Sequence, residues 1–320
     1  AIKEYGADVT RLTLSEGFGL DDPDFRDAIA EGNLLRLYAE KEWFEKLIDN
    51  LPNYKNDSDY NFWDIVFDTE IDNAFCSAEK AYDNNNFRMV VYSGFNKLLV
   101  ARDKYRLLYE KKVILPNCRL LKKFIDTILL IIYPICPHLV EYLWNKMMER
   151  NLSVNKYWNN NKEIHNHIYQ YYSINIYNLI NKINGDITKL NKKKKIIKNI
   201  NITLYEKYSV EESQIINMVY AYNNKAELSW KEFLNTLKLI SIDKFSKYAE
   251  FAKFIYEKIG IFGNNYLEKR DPLEELEIMK KWIPYFLNNK YDINICLVEN
   301  NNDVKYINGP DSPNIEINLF

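Results

Sequence analysis

The chain of 320 residues is 47% apolar and 15% aromatic, which suits two well-packed domains and excludes a disordered protein. Its net charge of −2 conceals an asymmetry: residues 1–75 carry 7 Lys/Arg against 18 Asp/Glu, residues 76–207 carry 23 against 10, and residues 208–320 carry 13 against 17. Acidic ends around a basic middle exclude a general polyanion binder and suit one face that meets a phosphate backbone.

In chain order, Gly6 opens a short helix with Val9, Leu12 and Leu14 apolar, closed by Gly17 and Gly19. Asp21-Asp22-Pro23 reads as a cap with Pro in the first turn, starting a helix over about 22–49. Leu51 to Ser58 is a linker. A third helix is expected over 59–83, and a fourth over 86–111 with Val90, Val91, Phe95, Leu98 and Leu99 inward and Arg88, Arg102 and Arg106 outward. The stretch Ile125–Trp144 within 117–149 is apolar on nearly every side in its first half, so it is expected at the centre of a bundle. Asp126, Pro134 and Pro137 exclude it as a membrane span, and the prolines should break the helix. A polar loop over 150–166 precedes a helix over 167–191.

At Lys192–Lys195 the texture changes. Ile200 to Tyr205 alternates as a strand does; helices fit 209–223, 229–240, 244–259 and one from Asp271-Pro272 containing Pro284. Tyr291–Val298 and Asn314–Leu319 alternate as strands, the second after a Gly309-Pro310 turn. The expected fold is therefore mainly α. A short N-terminal segment (1–20), to which the resemblance described below assigns a stem-contact role, leads into an antiparallel helical bundle (21–191), then a basic linker (192–199) and a smaller mixed α/β domain (200–320).

Catalytic chemistry finds no foothold. No glycine-rich phosphate loop exists, and His165 and His167 lie in an Asn-rich loop without nearby Cys or carboxylate clusters. His138, at a helix start, is expected to pack or cap. Cys76, Cys118, Cys136 and Cys296 have no paired spacing, which fits free thiols in a reducing compartment. With no signal peptide or membrane segment visible, a cytoplasmic protein is expected. Asn runs at 84–86, 159–161 and 300–302 read as solvent-facing filler.

Resemblance adds to this. Pro134-Ile-Cys-Pro-His-Leu-Val-Glu-Tyr-Leu-Trp144 resembles the P-x-x-P-H-x-x-E-x-x-W signature in the anticodon-binding bundle of class I aminoacyl-tRNA synthetases for aliphatic amino acids. Lys3-Glu-Tyr-Gly-Ala-Asp-Val-Thr-Arg-Leu12 is similar to the segment that follows their KMSKS loop. Gly17 to Phe25, and Ser93-Gly-Phe95 running to Ala101-Arg-Asp-Lys-Tyr-Arg106, narrow the resemblance to leucyl-tRNA synthetases of the cytosolic archaeal/eukaryotic type. The likeness is strong to about residue 150 and thin afterwards.

The resemblance implies a C-terminal portion beginning beyond the KMSKS loop, in keeping with a chain that starts Ala-Ile-Lys. HIGH and KMSKS motifs are absent from it, so it should be inactive alone. It holds no cofactor of its own; ATP and Mg are implied for the intact enzyme. The implied partners are tRNA(Leu) and the catalytic domain of the same protein, with no membrane. The expected RNA-facing cations are Arg102, Lys104, Arg106, Lys111, Lys112, Arg119, Lys122 and Lys123, followed by Lys192, Lys193, Lys194, Lys195 and Lys198. A stand-alone RNA-binding module and a protein-interaction scaffold are the other readings.

Overall fold

The computed structural model describes residues 1–17, 25–54, 59–148, 167–223, 230–238, 245–262, 269–299, 311 and 313–320. The expected Asp21-Asp22-Pro23 cap, the 150–166 loop and the Gly309-Pro310 turn lie outside them. The chain forms two compact units, residues 1–166 and 167–320.

Unit 1 is helical: α1 (Ile2–Tyr5), α2 (Ala7–Ser15), α3 (Asp27–Asn50), α4 (Phe62–Asp83), α5 (Phe87–Met89), a π-helical segment (Val90–Asn96), α6 (Lys97–Glu110), α7 (Cys118–Ile132) and α8 (Pro137–Met148). As expected, α7 is the centre, with every residue from Thr127 to Ile132 buried. It ends at Ile132, and α8 restarts at Pro137, whose missing N–H costs nothing at a first helical position. Helix α4 packs on α6, α7 and the π segment. The approach is close at Gly94, where a Cβ would stand 2.9 Å from Ala78 Cβ and 3.0 Å from Ile131 Cγ2. Only a residue without a side chain fits there.

Unit 2 opens with α9 (His167–Lys192) and strand β1 (Ile197–Tyr205). Helices α10 (Val210–Asn223), α11 (Trp230–Lys238), α12 (Phe245–Phe262) and α13 (Pro272–Phe286) come next, then β2 (Asp292–Val298) and β3 (Asn314–Leu319). The sheet order is β2-β1-β3, with β2 parallel and β3 antiparallel to β1. Ile200, Ile202 and Leu204 point from β1 into the core, while Asn199, Asn201 and Thr203 point away, the period-2 alternation of a half-buried sheet.

This layout differs from the expected one in two places. Helix α9, expected to close the bundle, belongs to unit 2. Its Tyr169 and Asn175 side chains donate to Glu274 (2.6 Å) and Glu275 (3.2 Å) of α13. Arg270 completes that junction. It donates to Glu275 at 2.6 Å and to the carbonyls of Tyr205 and Glu206, tying the end of β1 to the start of α13. The basic linker is also shorter than expected. Lys194 takes a left-handed φ of 54°, Lys195 N–H bonds Leu190 O (3.1 Å) and Lys194 N–H bonds Asn191 O (2.9 Å). Those two bonds are a Schellman cap, and β1 begins two residues later.

Candidate nucleic-acid interface

The expected basic strip falls on α6, α7 and the turn between them, and one hydrogen-bond chain fixes that turn. Helix α6 ends in a Schellman cap of its own: Lys112 has φ 58°, Val113 N–H bonds Leu108 O (2.9 Å) and Lys112 N–H bonds Tyr109 O (3.0 Å). Asn117 then caps α7, its side chain accepting from Leu120 N–H at 3.1 Å. The Asn117 N–H donates to the Tyr105 hydroxyl (3.2 Å), which donates to Asp64 (2.6 Å). Asp64 is itself part of the capping box that starts α4. Burial and then the Asp64 charge push the Tyr105 phenol well above its ordinary pKa, so it stays a neutral donor.

The cations on this scaffold divide into two groups. Arg102, expected outward, is buried. It pairs with Glu40 and with Asp103 (3.0 Å), and its guanidinium lies 4.3 Å from the Trp43 ring centre. Arg102 sits three and four residues after Leu99 and Leu98, so regular helical spacing places it on the same buried face as those two leucines. Lys123 donates to Asp68 (2.5 Å) and Asp72 (2.8 Å); burial alone would lower its pKa, but the two carboxylates outweigh it and leave it raised. Arg106 lies 3.6 Å from both Asp103 and Glu110, and Lys104 lies 3.8 Å from Glu70. Lys111, Lys112, Arg119 and Lys122 are exposed and make no ion pair among the described residues. In unit 2, Lys192–Lys195 and Lys198 are all exposed.

Outside the strip, the structure joins two motifs quoted for the resemblance. The Asp8 carboxylate of α2 accepts from Leu139 N–H at 2.8 Å, capping α8 from another helix, and its other oxygen lies 2.8 Å from His138 Nδ1. The cap is therefore Asp8; His138, expected to pack or cap, instead sits exposed at the rim of that cap. The Cys136 thiol points at the Asp8 carbonyl (3.7 Å), and burial pushes its pKa far up, which makes it an inert thiol. Sequence reading missed Asp8 itself, although it sits in the quoted segment. Among the described residues no group of three His, Cys, Asp or Glu could hold a metal ion, and no helix is long and apolar enough to cross a membrane.

Residues 64–206, from α4 through β1, match the family model described as the anticodon-binding domain of tRNA ligase. The chain is also 33% identical over 156 residues to a putative cytoplasmic leucine–tRNA ligase of Schizosaccharomyces pombe, covering 48% of this chain and 14% of that protein. Over this stretch the chain is similar to leucine–tRNA ligases. The cytoplasmic leucine–tRNA ligase of Arabidopsis thaliana is 34% identical over 151 residues (47% of this chain, 14% of that one). Leucine–tRNA ligase 2 of Sulfurisphaera tokodaii is 28% identical over 156 residues, covering 46% and 15%. The chain thus spans about one seventh of the length of these curated relatives. The synthetase-like segment includes the α6–α7 turn, the Gly94 contact and the Lys192–Lys195 cap.

Proposed function

We propose that this chain is the tRNA-binding C-terminal portion of a leucine–tRNA ligase, with the α6–α7 turn as its phosphate-contacting surface. The observation that carries the reading is the position of Arg119 and Lys122. Arg119 stands in the first turn of α7, where the helix dipole is positive and a cation is disfavoured by about 0.3–1 kcal/mol, and Lys122 follows just beyond it. Lys123 beside them is compensated by two aspartates; Arg119 and Lys122 make no ion pair among the described residues. A protein that keeps exposed cations where its own helix repels them has an anionic partner to offset the cost. Lys111 and Lys112 add to the same field from the turn. Arg102 and Lys123, engaged with carboxylates, are not part of this surface, and Lys104, Arg106, Lys192–Lys195 and Lys198 take a lesser share.

In the intact enzyme, leucine would be joined to tRNA(Leu) using ATP and Mg at a catalytic domain. No HIGH or KMSKS sequence occurs in these 320 residues, so this chain would position the tRNA body for that domain. The place of action is the cytoplasm named for the relatives. Titration with tRNA at two salt concentrations tests the reading, because each phosphate contact releases condensed counterions. Reversal of Lys111, Lys112, Arg119 and Lys122 to Glu should weaken binding at least about tenfold and flatten its salt dependence. Unchanged affinity with the fold intact by circular dichroism would remove the turn from the RNA surface.

A further inference from the structure

A cleft of about 700 Å³ lies elsewhere on unit 1, between the last turn of α2 and the turn joining α4 to α5. Leu14, Phe87, Met89 and Tyr92 line it and remain 40%, 46%, 40% and 57% exposed, so large apolar surfaces meet water inside a concave site. Its rim is the turn Asn84–Asn86, held by Asn86 N–H to Ala81 O (2.8 Å), Asn85 N–H to Tyr82 O (2.9 Å), and Asn86 Oδ1 accepting from Met89 N–H (3.1 Å). Asn85 has φ 52°, and its side-chain amide makes no hydrogen bond among the described residues. The wall is anchored too. Phe87 stands edge-on to Tyr82 at 6.1 Å, and the Tyr82 hydroxyl donates to Ile131 O at 2.8 Å. The only charged residue lining the cleft among those described is Arg88; Lys97 lies 5.5 Å from the Tyr92 ring centre and makes no ion pair among the described residues.

We propose that this cleft takes one unpaired base of a bound RNA. The proposal rests on the RNA-binding reading but concerns a different surface. Ring faces suit a planar heterocycle, an unused amide can both donate to and accept from a base edge, and the cations suit its phosphate. The size fits a nucleotide, since ligand clefts run from about 300 to 1,000 Å³. With no carboxylate on the wall among the described residues, a cationic ligand has no partner there.

The test is saturation-transfer NMR of the chain with AMP, GMP, CMP and UMP, and with ribose 5-phosphate as the base-free probe. Base protons should receive saturation from the protein, and ribose 5-phosphate should not bind measurably. Tyr92→Ala should weaken AMP binding at least about fivefold, as loss of a stacking face does, and Tyr92→Phe should leave it unchanged. Equal binding of ribose 5-phosphate, or AMP binding unaffected by Tyr92→Ala, would overturn the proposal, as would binding of free phenylalanine in preference to every nucleotide. The two surfaces separate cleanly. Reversal of Lys111, Lys112, Arg119 and Lys122 should leave AMP binding intact whatever it does to tRNA, so either proposal can fail alone.

Discussion

The turn after α6 and the turn after α9 share one backbone device. Each ends a helix in a Schellman cap with a lysine, Lys112 or Lys194, in the left-handed position usually given to glycine. Each also clusters lysines at a helix C-terminus, where the dipole favours cations. The two turns lead into different elements. After Lys112 comes a second helix whose first turn carries Arg119 against the dipole, with Lys122 just beyond it, on a turn fixed by Asn117, Tyr105 and Asp64. After Lys194 comes a strand that shifts register between Ile197 and Asn199. A lysine run at a helix end therefore needs no partner to explain it. A cation at a helix start runs against the dipole, and the proposed RNA surface would account for it.

The strongest way to break this contrast is to dissolve the first turn's anchor. Tyr105→Phe leaves the Asn117 N–H and the Asp64 carboxylate without the hydroxyl between them, both buried, and should cost about 1–3 kcal/mol in thermal or urea unfolding. The same substitution has a pH signature. The folded state raises the Tyr105 pKa, mainly by burial and then by Asp64, and also raises that of Lys123. Groups with raised folded pKa values contribute stability that is complete below their unfolded values of about 10 and is lost as pH rises through the folded ones. Melts followed by circular dichroism should show stability falling above about pH 10, less steeply in Tyr105→Phe. An identical alkaline slope would remove Tyr105 from that role.

A smaller effect sharpens the comparison. Lys112→Gly and Lys194→Gly each relieve a left-handed side chain and lose one favourable dipole contact, for a net gain of about 0.5 kcal/mol. Stability should rise equally in both, while tRNA affinity falls more for Lys112→Gly; an equal fall for Lys194→Gly would give the two turns the same weight in RNA binding. The smallest change is the most telling. Arg119→Glu should stabilise the fold by about 0.3–1 kcal/mol by matching the dipole, and should weaken tRNA binding. Stabilisation without loss of affinity would make Arg119 a bystander.

Much of the fold was legible because its helices carry 3.6-residue apolar spacing and its strands alternate; α7 announced itself by being apolar all round. The burial of Arg102 could have been read from its spacing to Leu98 and Leu99, but its charge argued for the surface, and its partner Glu40 lies 62 residues away in sequence. Gly94 was visible only as part of a motif. The reason for it, contact with Ala78 and Ile131, joins segments far apart in sequence. Asn84–Asn86 read as filler yet form a helix cap and the rim of a cleft, since asparagine tolerates the left-handed conformation. The free cations of α7 were nameable from sequence. Their distinction from Lys123 required the positions of Asp68 and Asp72 on α4.

The Asp8 clasp sets a clock on synthesis. Its partner N–H, on Leu139, lies 131 residues further along the chain. At about 5–20 residues per second, roughly 7–26 s separate the two on the ribosome. Throughout that interval the Asp8 carboxylate has no α8 start to cap. Helix α2 can settle on α3 as soon as that helix is made, but its Asp8 side chain is among the last of this unit to meet its partner.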